Sequence, residues 1–153
     1  MSLWRRTGTL LAWLAWPALF VYLRIGSRSR VIVIAEDHLL LVQGWLSTPS
    51  WGLPGGGLHR RESLALGAVR EVREETGLHL APEQLTSLTS EWLTENGITF
   101  HCHFLAARLP RRIELHRQRG EIVAAEWVPL AQVPTLPLKT DVRRALELLA
   151  ATR

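Results

Sequence analysis

"GGLHRRESLALGAVREVREETGL", residues 56–78, decides how this chain folds. From Glu62 to Thr76 the apolar residues Ala65, Ala68, Val69 and Val72 recur at i, i+3, i+4 and i+7, the period of a helix with one face on a core. Gly77 stands where a glycine ends a helix, and the glycines before it let the backbone pass close to a ligand. Glu71, Glu74 and Glu75 fall on an arc of roughly 100°, beside the apolar stripe and not opposite it. Like charges at such spacings weaken a helix by about 0.2–0.5 kcal/mol per pair, which Arg70 and Arg73 offset only in part. Two readings stand: a solvated acidic face, or carboxylates gathered around a hard divalent cation. Oxygen donors suit Mg²⁺ or Mn²⁺, and Glu62 offers a further oxygen.

Outward from that helix the pattern is mostly strand. "VIVIAE" and "LLLVQ" flank a turn at Asp37–His38 and read as a hairpin. "LTSLTSEWLTE" and "ITFHCHFLAARL" flank Asn96–Gly97, a strong hairpin signal. "RIELH" reads as a further short strand and "EIVAAEWVPL" as the last one. A closing helix has Thr140 as its cap and Val142, Ala145, Leu146 and Leu149 as its apolar face. Strands around one central helix, with a second helix at the end, make an α/β sandwich with a mixed sheet.

With these residues in view, Gly56–Leu78 resembles the Nudix box, G-x5-E-x7-R-E-U-x-E-E-x-G-U, where U is a bulky aliphatic residue. Gly56, Glu62, Arg70, Glu71, Val72, Glu74, Glu75, Gly77 and Leu78 fall on its specified positions, and none departs. The resemblance covers roughly residues 30–150. It implies the Nudix fold, an α/β/α sandwich with a loop–helix–loop active site. It also implies hydrolysis of a nucleoside diphosphate linked to another moiety. By the same resemblance Glu71, Glu74 and Glu75 would hold Mg²⁺ or Mn²⁺, and Arg70 would orient a carboxylate of the set. Gly56 would offer its carbonyl to metal or substrate, Glu62 would support the loop or join the metal shell, and Glu74 is the candidate base by analogy.

Charge divides the chain. Residues 1–30 carry Arg5, Arg6, Arg24, Arg28 and Arg30 and no acid, leaving 13 bases against 14 acids in the rest. A broad nucleic-acid-binding surface on the domain is therefore not expected. Residues 8–23, "GTLLAWLAWPALFVYL", are uncharged; as a helix they span about 24 Å, short of a bilayer core of about 30 Å. A short membrane anchor, a helix lying at the interface, one packed on the domain or on a second subunit (a homodimer), and a cleaved signal peptide all remain open. The division expected is 1–29 as hydrophobic segment and basic linker and 30–153 as a cytoplasmic, tethered domain. The single cysteine, Cys102, excludes an internal disulfide and a cysteine zinc site.

Lesser candidates surround the box. Trp45 and Trp51 would stack on a base or serve the core, and His59 would reach a phosphate or stand as a loop residue. His101 and His103 share a strand face, lining a pocket or packing on the sheet. The substrate class is a small nucleotide such as a nucleoside triphosphate, a nucleotide sugar or ADP-ribose. The rivals are hydrolysis at an RNA 5′ end and a catalytically silent, membrane-associated nucleotide sensor.

Overall fold

The computed structural model describes residues 26–44, 49–95, 97–116 and 122–151. Five strands form one mixed sheet: β1 (Arg28–Ala35), β2 (His38–Gly44), β3 (Thr86–Glu95), β4 (Ile98–Leu109) and β5 (Ile122–Pro129), in the order β3-β4-β1-β2-β5. β1 runs parallel to β4, from Arg28 beside Cys102 to Ala35 beside Leu109, and every other pairing is antiparallel. Helix α1 (Leu64–Thr76) lies on one face and α2 (Thr140–Ala151) on the other. This is the sandwich the sequence leads one to expect.

β1 reads as an unbroken apolar run because both of its faces are covered. Val31, Val33 and Ala35 pack with Ala68 and Val72 of α1, while Ile32 and Ile34 pack with Val142 and Ala145 of α2. The Ser63 hydroxyl caps α1 by accepting the Leu66 N–H at 3.3 Å. The helix therefore starts at Leu64, and Glu62 lies in the loop before it. Gly77, at φ 73°, closes the helix with its N–H on the Arg73 carbonyl at 2.8 Å.

Three expectations change. "RIELH" is irregular and not a strand, because the His116 N–H is taken by the carbonyl of Thr76 at the end of α1 (2.9 Å) and Leu115 packs on the α1-side core. Thr140 is the first residue of α2 and not its cap; the acid of that first turn is Asp141, whose Oδ1 accepts the Val142 N–H at 2.7 Å. Arg28 and Arg30 belong to β1, so two charges assigned to the N-terminal segment are part of the fold. Residues 8–23 lie outside the described residues. Among the described residues no helix is long and apolar enough to cross a membrane.

Arg30 is the least expected of these. It is buried, with Nε on Asp141 Oδ2 at 2.8 Å and Nη1 on the carbonyls of Gly55 (2.7 Å) and Ser29 (3.1 Å). Asp141 Oδ2 also accepts the Leu53 N–H at 3.3 Å. One ion pair thus joins the central strand, the loop before α1 and the start of α2. Removing one member of such a pair leaves the other charge buried and costs about 3–5 kcal/mol. Urea unfolding of Asp141→Ala is expected to show a loss of that order. The double change Arg30→Met, Asp141→Leu should cost less than the two single changes added together.

Candidate active site

The loop before α1 is held by strand hydrogen bonds. β2 pairs with β1 only at Ile34 and Ala35, so the first half of β1 has donors to spare on that side. The loop takes them: Val31 N–H bonds the Pro54 carbonyl and Ser29 N–H the Gly56 carbonyl, each at 2.9 Å, while Leu58 N–H reaches back to Ser27 at 3.2 Å. The approach is so close that a side chain on Gly55, at φ 138°, would place its Cβ 2.3 Å from the Ser29 carbonyl oxygen. Glycine is required there on both counts.

Onto this loop α1 brings its acids. The Glu75 carboxylate accepts the Gly55 N–H at 2.8 Å. Burial, with Glu71 adding to it, pushes the Glu75 carboxyl up to about 7, although the Gly55 N–H and Arg30 pull the other way. The Glu71 carboxylate lies against Gly56, within 2.6 Å of where a Cβ would stand. Arg70 gathers the rest. It grips Glu62 through Nε (2.9 Å) and Nη2 (3.0 Å), and it reaches Glu71 at 2.8 Å, Glu74 at 3.2 Å and the Gly57 carbonyl at 3.1 Å. The forked bond from Arg70, with the His59 N–H at 2.9 Å, holds the Glu62 carboxyl down to about 2.

Glu71, Glu75, Gly56 and His59 therefore line one cavity of about 380 Å³, together with Arg28, Arg30 and Gly55. Glu62 sits outside its lining, at the base of the loop. Glu74 is 45% exposed and turned towards Arg70. The three helix acids do not bring their oxygens to one point. Among the described residues the group whose ligand atoms lie within 4.8 Å of one another is Glu36, Asp37 and His38 in the β1–β2 turn, where Arg112 bonds both Glu36 and His38. Trp45 lies outside the described residues, and Trp51 packs against the α2-side core.

Arg28 and Arg30 are the residues that sequence reasoning missed. Both residues line the cavity, and the Arg28 guanidinium lies 4.5 Å from the centre of the Phe100 ring. The signal was an i, i+2 pair of arginines entering an apolar strand, but it read as flanking charge. The donor set fits a hard divalent cation. Glu71, Glu75 and the Gly56 carbonyl offer only oxygen, and the desolvated Glu75 carboxyl has much to gain from a cation. Arginines along the same wall suit phosphate oxygens.

A family model for the NUDIX domain matches residues 26–150. Nudix hydrolase 6 of Arabidopsis thaliana is 30% identical over 118 residues, covering 74% of this chain and 42% of that protein. The chain thus spans about two-fifths of that relative. An RNA pyrophosphohydrolase of Zymomonas mobilis is 28% identical over 124 residues, covering 69% of this chain and 80% of that one. Among solved structures, the NUDIX domain of Shewanella oneidensis NrtR, complexed with ADP ribose, superposes with a TM-score of 0.73 at 21% identity. It covers 82% of this chain and 86% of that one and speaks for the fold alone.

The two displaced carboxyls act in separate pH windows. Glu75 binds its proton more tightly in the folded chain than in the unfolded one, where its pKa is near 4.5. In chelator, stability should fall as pH rises from about 4.5 to about 7, and Glu75→Gln should flatten that slope. Glu62 acts in the opposite sense: its contribution is complete above 4.5 and is lost as pH falls towards about 2. Thermal unfolding across pH, with and without Mg²⁺, reads both. The cation should raise stability most above pH 7, where Glu75 is ionised.

Proposed function

The chain belongs to the Nudix family, and we propose that it is a divalent-metal-dependent pyrophosphohydrolase cleaving a nucleoside diphosphate linked to another moiety. One observation carries the reading. Glu71, Glu75, Arg28 and Arg30 all line the same cavity beside the glycine loop. That arrangement seats a cation and a polyphosphate side by side.

In this reading Glu71, Glu75 and the Gly56 carbonyl hold Mg²⁺ or Mn²⁺. The carbonyl accepts one bond from Ser29 and keeps a second lone pair. The chemistry a bound cation supplies is neutralisation of phosphate charge and acidification of water. Arg28 and His59 meet the phosphate oxygens at the mouth. Glu74, the most exposed acid of the set, takes the proton of the attacking water as the phosphoric anhydride bond breaks. Arg70 is a positioning residue: held by Glu62, it fixes Glu71 and Glu74 relative to the loop. Residues 8–23, on their sequence alone, would tether a cytoplasmic domain to the membrane ahead of β1.

A second reading, hydrolysis at an RNA 5′ end, is favoured by the match across 80% of the Zymomonas enzyme. Salt separates the two, since an RNA substrate engaging several phosphates loses affinity steeply between low and physiological salt.

Phosphate release from nucleoside triphosphates, nucleotide sugars and ADP-ribose is expected with Mg²⁺ or Mn²⁺ and is lost in chelator. Glu74→Gln should lower turnover by roughly 10²–10⁴, as removal of a general base does. Arg70→Lys should lower it too, because a point charge cannot grip Glu62 and Glu71 together, but by less, since Arg70 only positions the acids. Tight nucleotide binding without turnover on any substrate would instead support a silent sensor.

A further inference from the structure

The described chain begins at Gly26, three residues after the uncharged stretch 8–23 ends. It enters the fold against the turn that precedes α1. The Ser27 carbonyl accepts the Leu58 N–H at 3.2 Å, and Arg28 pairs with Gly57. Leu58 in turn packs on α1, so closely that a Cβ on Gly67 would stand 2.5 Å from its side chain. Just beyond Leu58 come Arg60 and Arg61, both exposed. Arg61 is held at φ 68°, in the left-handed region that favours glycine.

The outer face of α1 continues from this turn. Leu66 and Arg73, seven residues apart, share the helix stripe turned away from the buried Ala68 and Val72. Leu66 is 52% exposed. With Glu62, Val69 and His79, these two residues line a cavity of about 410 Å³, so the wall of that cavity starts at the residue after Arg61. Among the described residues Arg60, Arg61 and Arg73 have no acidic partner. Glu62 and Glu74, the acids beside them in the sequence, are both held by Arg70. Three uncompensated guanidinium groups around an exposed leucine complement a surface of anionic headgroups over an apolar layer. As a helix, residues 8–23 fall short of a bilayer core, and such an anchor gains from a second contact. The uncharged stretch entering beside the turn is what selects a lipid over an acidic protein. We propose that the Arg60–Arg61 turn and the outer face of α1 lie against an anionic phospholipid surface. Leu66 enters the headgroup layer, and Arg60, Arg61 and Arg73 meet its phosphates. The proposal rests on the tether read from residues 8–23, and the test separates the two.

The full chain is titrated with vesicles of phosphatidylcholine alone and of phosphatidylcholine with phosphatidylserine. Arg60→Gln, Arg61→Gln and Arg73→Gln should each weaken partitioning into the mixed vesicles roughly fivefold, and the triple change on the order of 10²-fold. Binding to phosphatidylcholine alone should not change. Arg61→Gly should give the same fivefold loss with Tm unchanged or raised, because glycine takes that φ without strain; unfolding would not do this. The single cysteine, Cys102, is buried, so a fluorophore on Leu66→Cys can be attached selectively. Brominated lipid in the mixed vesicles should quench it, and should spare the same label on Glu147→Cys of α2, across the sheet. Equal partitioning into both vesicles, a triple variant that binds like the unaltered chain, or quenching at Glu147→Cys in place of Leu66→Cys overturns the docking surface and leaves the tether standing. Binding to the mixed vesicles alone, lost in the triple variant, upholds the surface and ends the tether. Binding to neither overturns both.

Discussion

The Arg30–Asp141 ion pair is the contact on which the rest of the structure depends. Its guanidinium is fixed by Asp141 at the first turn of α2 and by the carbonyl of Gly55, the residue whose N–H holds Glu75. Gly55 is therefore held on both sides, its carbonyl by the Arg30 guanidinium and its N–H by the Glu75 carboxyl. A core of apolar side chains could hold the two helices on the sheet, but it could not fix the directions of the two peptide units that meet at Gly55. The buried Arg30 guanidinium and the Glu75 carboxyl do that, and the glycine loop inherits its geometry from them.

Around the loop, acids and bases are sorted by depth. Arg70 and Glu62 make a forked pair at the base of the loop, where ordinary salt-bridge physics keeps Glu62 ionised down to about 2. Glu75 is nearer the buried wall, where desolvation outweighs its partners and its carboxyl stays protonated to about 7. Two glutamates in one motif thus have opposite displacements, set by what each touches. The first is satisfied by the protein itself; the second, in the proposed reading, would be satisfied by a cation.

Much of this was legible beforehand. Helix α1 announced itself through the i, i+3, i+4 spacing of Ala65, Ala68, Val69 and Val72 and through Gly77, and the Asn96–Gly97 pair announced the β3–β4 hairpin. The family was carried by side chains whose spacing is fixed by one helix and its adjoining loop. What stayed hidden was non-local. Arg30 reads as flanking charge until Asp141, more than a hundred residues on, is brought beside it. "RIELH" has a strand's alternation, yet its His116 N–H is claimed by the end of α1. His101 and His103 showed that they share a face, but Trp92 entered that face only through the register of the β3–β4 ladder.

The parallel ladder between β1 and β4 also has a bearing on how the molecule comes into being. β1 leaves the ribosome first among the strands, yet its longest ladder is with residues as distant as Cys102 and Leu109. Its hairpin with β2 supplies only two residue pairs at the far end. A nascent chain that has finished the glycine loop and α1 but not β4 still lacks the neighbour that covers half of the central strand. Closing so long a loop is entropically slow, and such contacts place a chain among the slower folders. The carboxylates therefore come to face the arginines only when nearly the whole domain has condensed. A half-made chain would carry the acidic motif in full without the pocket that gives it meaning.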